Sequence, residues 1–335
     1  MKLISLYTNL DEVGGANNLT VDLHKSLMET GIFSDGKVSS FTDYKNLAPR
    51  YKNELGESAY ERFKVLKFIK KADELVFLSH HRKMTTYLLG ISRILKKELK
   101  IVHVAHSTLS SLKFATLFPE YIVAVSNSVR DSLKSYFKVE DAEVIYNGVL
   151  PQKVNLNKAY NSKQITVTLP ASINNGKQQV ALTKFLRSKL VKQVVIQFAG
   201  DGPERDKLEM AVSNDKQFKV LGHIDNMQKI YENSDYVMLF SKMEGLPLSL
   251  IEAQSHGIPI ICNDVGGNLE ILKPNENGFF VNSMPELLQC LNSLPSMEVS
   301  KYIEMRKQSL ENYFENFQYD KMVESYADLL QEVMQ

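Results

Sequence analysis

Two glutamates eight residues apart have surroundings that suit the binding of a polar, charged ligand. Glu244 lies in a loop and Glu252 about two turns into the helix that follows, so both can face one crevice from different heights. Between them, Leu246 and Leu248 keep backbone N–H donors, whereas Pro247 has none and fixes φ for the first helical turn. A helix N-terminus binds anions through its unpaired N–H groups and its dipole. The arrangement therefore suits a ligand with hydroxyls at one end and a diphosphate in its middle.

The elements around these glutamates form a strand, loop, helix, strand unit. An apolar run at residues 236–240 predicts a buried parallel strand, and the Glu-Gly-Leu-Pro turn after it opens a short helix. The helix ends at Gly257, and the apolar run at residues 258–262 predicts the next strand. Units of this kind place the helix N-terminus at the carboxyl edge of a sheet, where ligand crevices open.

Residues 241–270 resemble the retaining, nucleotide-sugar-dependent glycosyltransferases of family 4. Glu244 and Glu252 match the family's Glu-seven-residues-Glu signature, and Gly-Leu-Pro, Glu-Ala, Gly-Ile-Pro and Val-Gly-Gly-x-x-Glu flank it in register. The resemblance covers almost the whole chain and is most specific over residues 222–281. It implies an α/β protein of the GT-B fold: two doubly wound Rossmann-like domains face a central cleft, and a C-terminal helix crosses back to the N-terminal domain.

Length and composition agree with this interpretation. The chain has 335 residues, of which 44% are hydrophobic, enough for two sizeable cores. Its formal net charge of +1 gives no global field that would attract nucleic acid, and its two cysteines suit a reducing compartment. No signal peptide is recognisable, and no run reaches the roughly 20 apolar residues that span a bilayer. We therefore expect a cytoplasmic protein, either free or peripheral at the inner face of the membrane.

The α/β pattern starts twice along the chain, which predicts two domains. Residues 150–162 are polar and aperiodic and predict an exposed linker. We expect an acceptor-binding Rossmann-like domain at residues 1–150 and a nucleotide-sugar-binding Rossmann-like domain at residues 163–315. A helix within residues 316–335 carries an apolar stripe, and the resemblance implies that it packs back on the first domain.

In the first half, a glycine pair and a strand-end histidine are candidate site residues. Gly14 and Gly15 separate the first strand from a helix, a pattern that cradles phosphates but is as often only a tight turn. The resemblance favours contact between this loop and the donor diphosphate. His106 follows a strand at residues 100–105 and matches a family histidine near the sugar and its leaving phosphate. His103, inside that strand, is interpreted as a core residue.

In the second half, the candidates come from several loops. Lys177 matches the family's diphosphate-binding lysine, but Ser172 stands where the family usually has an arginine, so either another basic residue substitutes or donor binding is weak. An Ala-Gly-Asp-Gly-Pro turn predicts a further crevice element or simply a tight turn into a helix that is capped by Asp201. The resemblance places the segment after the next strand beside the nucleotide base. The donor-binding candidates of this half are Lys177, Gly200, Asp201, Gly202, His223, Ile224, Gly245, Leu246, Pro247, Leu248 and Glu252.

Residues 58–100 carry eleven lysines and arginines against four acidic residues. Periodicity predicts helices at residues 61–71 and 81–99 with a strand between them. Two solvated helix faces would explain the charge. An anionic membrane surface or a lipid-linked diphosphate acceptor explains it equally well.

The resemblance implies a retaining transferase that moves a hexose from a nucleoside-diphosphate sugar, UDP-sugar by default, to a glycan or lipid-linked acceptor in surface polysaccharide or glycolipid synthesis. No Asp-x-Asp motif is present, so we expect no metal, and we expect no cofactor. Glu244 and His106 are the predicted catalytic residues: Glu244 orients the donor sugar and His106 stabilises the leaving group. Glu252 accepts hydrogen bonds from the ribose. Two alternatives stay open: a non-hydrolysing sugar-nucleotide epimerase and a non-catalytic sugar-nucleotide-binding subunit.

Overall fold

The computed structural model describes residues 1–108, 111, 115–156 and 159–335, and it divides into two compact units. The first unit comprises Met1–Tyr146 together with Asp320–Gln335, and the second comprises Asn147–Tyr319. The C-terminal segment is therefore grouped with the first unit. Each unit is built on a parallel sheet with helices, which confirms the predicted fold class of two doubly wound domains.

The first unit contains a seven-stranded sheet in which every pairing is parallel. Its strands are β1 (Lys2–Leu6), β2 (Asp35–Ser40), β3 (Tyr60–Arg62), β4 (Leu75–Ser79), β5 (Lys100–Ala105), β6 (Tyr121–Ala124) and β7 (Glu143–Val144). The helices within residues 1–146 are α1 (Gly15–Glu29), α2 (Pro49–Leu55), α3 (Val65–Lys70), α4 (Arg82–Ile94) and α5 (Asn127–Ser132), with a π-helical turn at Leu133–Phe137. The strand order is β3-β2-β1-β4-β5-β6-β7, so the chain changes direction across the sheet between β1 and β4.

The second unit contains a six-stranded parallel sheet. Its strands are β8 (Ile165–Pro170), β9 (Val194–Ala199), β10 (Phe218–Gly222), β11 (Tyr236–Leu239), β12 (Ile260–Cys262) and β13 (Gly278–Phe280). Its helices are α6 (Gln179–Leu186), α7 (Arg205–Val212), α8 (Gln228–Glu232), α9 (Leu248–Ser255), α10 (Asn268–Ile271), α11 (Met284–Ser293) and α12 (Val299–Asn316); α13 (Tyr319–Met334) ends the chain. The order β10-β9-β8-β11-β12-β13 places the change of direction between β8 and β11.

The central strands are buried on both faces. Every residue of β4 and β11 is buried, and β1 exposes only Lys2. Strands covered on both sides have near-continuous apolar sequences, which is why the runs LVFLS and YVML are recognisable from the sequence. The loops at the carboxyl ends of the strands of both sheets carry most of the predicted site residues.

Two helix predictions in the basic region are wrong at their ends. Tyr60–Arg62 pair with β2 as an edge strand, so α3 begins only at Val65. The hydroxyl of Tyr60 donates to the carbonyl of Thr42, a long-range contact that overrides local periodicity. The second helix ends at Ile94, and Lys96 after it has a φ of 50°.

Residues of the predicted linker form hydrogen bonds with the second unit. Tyr160 is buried and its hydroxyl donates to the carbonyl of Leu294 across 2.6 Å. The guanidinium of Arg306 on α12 donates to the carbonyls of Asn155 and Gly257, each across 2.9 Å. These long-range bonds hold Asn155 and Tyr160 in place, although the sequence around them has no periodicity. Within the described ranges, every helix is too short or too polar to cross a bilayer.

Candidate active site

The structure brings Lys177 and Glu244 into direct contact. Lys177 lies in the loop after β8 and Glu244 in the loop after β11, and these two strands are neighbours at the point where the strand order reverses. The ammonium of Lys177 donates to Oε1 of Glu244 in an ion pair. Only 7% of Glu244 is exposed, so Lys177 supplies a hydrogen bond and an opposite charge to a carboxylate that is largely removed from water. The contact places a cation beside a buried acceptor of hydrogen bonds.

The loop that carries Lys177 is held by side-chain and backbone hydrogen bonds. Oδ1 of Asn174 accepts from the N–H groups of Gly176 and Lys177, at 2.9 and 3.2 Å. The N–H of Lys242 donates to the carbonyl of Gly176 across 2.8 Å, and the ammonium of Lys242 donates to Oδ1 of Asn175 across 2.9 Å. A second cation, which the sequence analysis did not single out, therefore borders the same loop.

The Val-Gly-Gly segment at residues 265–267 packs against the backbone of Glu244 and Gly245. Gly266 has a φ of 57°, and a Cβ added there would lie 2.1 Å from the carbonyl oxygen of Glu244. The N–H of Gly267 donates to the carbonyl of Gly245 across 2.7 Å. The amide of Asn147 donates to the carbonyl of Leu246 across 2.9 Å. Gly266 thus meets both demands that favour glycine, a positive φ and close backbone approach.

Glu252 bonds to a tyrosine and not to the Lys177–Glu244 pair. The hydroxyl of Tyr231, a buried residue on α8, donates to Oε2 of Glu252 across 2.6 Å. Burial raises the pKa of Glu252, and this hydrogen bond lowers it in part. A vicinal diol would add two donors and favour the ionised carboxylate further. Sequence reasoning missed Tyr231, because no spacing links it to α9.

The Ala-Gly-Asp-Gly-Pro turn packs against the Lys177 loop. A Cβ at Gly200 would lie 2.2 Å from the carbonyl oxygen of Ala171, and one at Gly202 would lie 2.4 Å from that of Ile173. Asp201 accepts from the N–H of Gly202 and from Arg205, each across 2.7 Å. Glu204, not Asp201, is the residue that precedes α7, so the interpretation of Asp201 as a helix cap is wrong.

The other predicted residues of this unit lie in two turns. His223 and Ile224 follow β10, and the exposed imidazole of His223 lies 3.2 Å from a carboxylate oxygen of Asp225. Pro247 directly precedes α9, which begins at Leu248, as the sequence predicts.

In the first unit, Gly14 directly precedes α1, and Gly15 is the first residue of the helix. A Cβ at Gly14 would meet only the side chain of Asn17, at 3.8 Å. The amide of Asn17 ties the preceding loop by donating to the carbonyls of Asn9 and Glu12. The contacts of Gly14 within the fold therefore do not require a glycine there.

His106 follows β5 and forms a pair with a second histidine. Its Nε2 lies 2.9 Å from Nδ1 of His80, which follows the neighbouring strand β4. Burial is the main cause that lowers the pKa of His106, to about 4, and it also lowers the pKa of His80. His103 is buried and bonded to Thr85, which confirms it as a core residue. Sequence reasoning missed His80, although its place after a buried strand was a usable signal.

Comparison with known proteins finds a family match for part of the chain. Residues 164–294 match the family model described as Glycosyl transferases group 1. N-acetyl-alpha-D-glucosaminyl L-malate synthase of Bacillus anthracis is 24% identical over 72% of this chain and 70% of its own length. Uncharacterized glycosyltransferase MJ1607 of Methanocaldococcus jannaschii is 26% identical over 48% of this chain. UDP-Gal:alpha-D-GlcNAc-diphosphoundecaprenol alpha-1,3-galactosyltransferase of Escherichia coli is 28% identical over 43% of this chain. The matches span 46% and 38% of the lengths of these last two proteins.

Solved structures resemble the whole chain. Anabaena Alr3699/HepE in complex with UDP has a TM-score of 0.82 at 19% identity, over 99% of this chain and 100% of that one. The apo form of the lipopolysaccharide outer core galactosyltransferase WaaB has a TM-score of 0.75 at 19% identity, over 97% of this chain and 100% of that one. The chain thus shares the fold of these GT-B glycosyltransferases, and residues 164–294 match the group 1 glycosyl transferase model.

Proposed function

We propose that the protein is a retaining glycosyltransferase that transfers a hexose from a UDP-sugar to a glycan or lipid-linked acceptor in surface polysaccharide or glycolipid synthesis. The Lys177–Glu244 ion pair at the β8/β11 switch point carries this proposal, because it lies inside the segment 164–294 that matches the group 1 model. UDP in the Anabaena structure supports the choice of nucleotide. The diphosphoundecaprenol named for the Escherichia coli relative supports a lipid-linked acceptor.

The ion pair couples recognition of the diphosphate to recognition of the sugar. A donor diphosphate attracts the ammonium of Lys177 and weakens its bond to Glu244. Because Glu244 is buried, its carboxylate then needs other donors, and sugar hydroxyls supply them. A nucleotide sugar offers a diphosphate to Lys177 and hydroxyl donors to Glu244. The nucleotide alone offers only the diphosphate and leaves the carboxylate of Glu244 without hydrogen-bond donors.

The remaining roles follow from the chemistry of each group. Glu252, oriented by Tyr231, accepts hydrogen bonds from the ribose diol. The acceptor hydroxyl attacks the face that the diphosphate leaves. The anomeric C–O bond to phosphate breaks as the new glycosidic bond forms, and the departing phosphate takes the acceptor's proton. Lys177 and the N–H groups at the start of α9 stabilise the departing charge without a metal. Gly14, Gly15 and His106 are proposed donor contacts of the first unit.

The proposal is tested by donor screening followed by turnover. We expect one UDP-hexose to raise the melting temperature more than UDP does, because only the sugar satisfies Glu244. With that donor, an acceptor and EDTA, the products should be UDP and an α-linked glycoside of retained configuration. Complete loss of activity in EDTA would contradict the metal-free mechanism. An epimerised nucleotide sugar formed without acceptor would identify an epimerase, and donor binding without any turnover would identify a binding subunit.

The two glutamates should differ in kinetic effect. Glu244→Gln should lower kcat by roughly 100-fold, because it removes the charge that orients the reacting sugar. Glu252→Gln should leave kcat nearly unchanged and raise the donor KM about tenfold, since it weakens binding equally in ground and transition states. Tyr231→Phe should also raise the donor KM with little change in kcat, as Glu252→Gln does, because the Tyr231 hydroxyl acts through that carboxylate. A change confined to KM in Glu244→Gln would refute this division of roles.

Lys242 is our proposed substitute for the cation missing at Ser172. Its ammonium bonds to Asn175 within the loop that carries Lys177, so it lies where a second charge would reach the diphosphate. It also begins the segment that leads to Glu244.

Lys242→Gln should therefore raise the donor KM about tenfold, an expected loss of about 1.4 kcal/mol of binding. Lys207→Gln, which alters an exposed lysine on α7, is the matched control and should have no effect. Adding Ser172→Arg to Lys242→Gln should restore part of the loss, as a double-mutant cycle would measure. Equal donor KM values for Lys242→Gln and Lys207→Gln would show that Lys242 does not replace the cation missing at Ser172.

The basic helices support a membrane-facing role. Two large apolar side chains near the basic residues are exposed: Leu66 on α3 is 57% exposed and Ile94 on α4 is 75% exposed. A surface groove of about 390 Å³ runs along α4, with an apolar part formed by Tyr87, Gly90, Ile91, Ile94 and Ala115. Exposed apolar side chains among cationic ones are typical of helices that lie in a membrane interface.

We therefore expect the protein to sediment with anionic vesicles at low salt and to be released as salt shortens the Debye length to about 10 Å at 0.1 M. Charge reversal of Lys64, Lys70, Lys71 and Lys96 should abolish this binding, since each lysine contributes on the order of 1 kcal/mol near anionic lipid. Donor-dependent thermal stabilisation should stay unchanged. Reversal of four lysines on the second unit, Lys184, Lys207, Lys216 and Lys219, is the control. Absence of wild-type binding at low salt would leave the helices as solvated faces.

A further inference from the structure

Two histidines at the ends of neighbouring strands form a hydrogen-bonded pair. His80 follows β4 and His106 follows β5, and these strands are parallel partners. Nδ1 of His80 lies 2.9 Å from Nε2 of His106, and the ring centroids are 5.2 Å apart with planes 21° from parallel. A hydrogen bond between two ring nitrogens needs one donor and one acceptor, so the two rings have linked tautomers.

Both rings are neutral at pH 7. Only 3% of His80 is exposed, and burial lowers the pKa of both histidines, that of His106 to about 4. The nearby His81 and His103 also have lowered pKa values, chiefly through burial. Each neutral imidazole carries one N–H, so only two arrangements of the pair are available. Either His80 donates through Nδ1, or His106 donates through Nε2.

The second nitrogen of His80 decides between these arrangements. Nε2 of His80 is fully buried and has no partner within the described part of the chain. If His106 donated, His80 would carry its proton on Nε2 and bury an N–H group without an acceptor. If His80 donates, its Nε2 is only a lone pair, and buried acceptors without partners are less rare than buried donors without partners. We infer that His80 donates to His106 and thereby holds the proton of His106 on Nδ1.

This tautomer makes His106 a hydrogen-bond donor. Among the described residues no hydrogen bond to Nδ1 of His106 is seen, and the side chain is only half-buried, so this N–H is placed to donate to an oxygen of a ligand. A neutral imidazole whose free nitrogen carries the proton stabilises negative charge on a sugar or phosphate oxygen, and it does not take up a proton. His80 is then a positioning residue for His106. The value of this donor in turnover rests on the proposed transferase function, but the tautomer does not.

The tautomer is measured without turnover. In protein labelled with ¹⁵N-histidine, we expect the spectrum at pH 7 to show His106 protonated at Nδ1 and bare at Nε2, with signals assigned by their loss in His106→Gln. His80→Asn retains an amide N–H close to the position of Nδ1 and should keep this pattern. His80→Leu removes the donor and should shift the proton of His106 toward Nε2. A wild-type spectrum with the proton on Nε2 overturns the inference, and it decides the question even if His80→Leu fails to fold.

Kinetics supply a second measurement. With the donor found by screening, His80→Leu should lower kcat about tenfold with the donor KM within about threefold of wild type, and His80→Asn should restore kcat to within about threefold. His103→Leu, which removes an equally buried histidine of β5 outside the pair, should leave the tautomer of His106 unchanged. Equal kcat values for His80→Leu and wild type would refute the positioning role. If no nucleotide sugar reacts, the proposed function fails while the spectrum still tests the tautomer.

Discussion

The parallel pairing of β8 with β11 is the constraint on which the contact between Lys177 and Glu244 depends. These strands are separated by 65 residues of sequence, from Pro170 to Tyr236, yet their carboxyl ends lie side by side. The strand order reverses there, and ligand crevices of parallel sheets open at such points. Lys177 comes from one loop and Glu244 from the other. A shift in this pairing would separate the cation from its carboxylate.

Burial makes that ion pair responsive to a ligand. Glu244 is almost inaccessible to solvent, so the removal of its cation without replacement is costly. The glycine at 266 and the hydrogen bond from Gly267 to Gly245 fix the backbone on which this carboxylate stands. Under the proposed function, a diphosphate attracts Lys177, and sugar hydroxyls replace the ammonium as partners of the buried carboxylate. The proposed exchange would favour an intact nucleotide sugar over the free nucleotide.

The first unit contains a group of wholly or partly buried histidines that are uncharged at neutral pH. Five histidines of this unit have pKa values below the ordinary value, with burial as the largest cause in each: His24, His80, His81, His103 and His106. Neutral rings can share hydrogen bonds at close range without mutual repulsion. The fixed dipole of an N–H group, rather than a mobile charge, is what such a ring offers to a ligand.

The sequence by itself determined the α/β class, the two-domain division, and the order of strand, glycine turn and helix around Glu244. These features are local: continuous apolar runs are typical of parallel strands, and proline is favoured at the start of a helix. The family resemblance added Lys177 and His106 as candidates. Their pairing with other residues could not be predicted.

Only the tertiary structure decided which side chains meet. Tyr231 reaches Glu252 from another helix, Lys242 borders the Lys177 loop, and His80 contacts His106 across two strands. The tertiary structure also turned Tyr60–Arg62 into a strand and fastened the predicted linker through Arg306. In each case a hydrogen bond or packing contact joins residues far apart in sequence. Such contacts leave no periodic signal in the chain, because their geometry exists only after the sheets have formed.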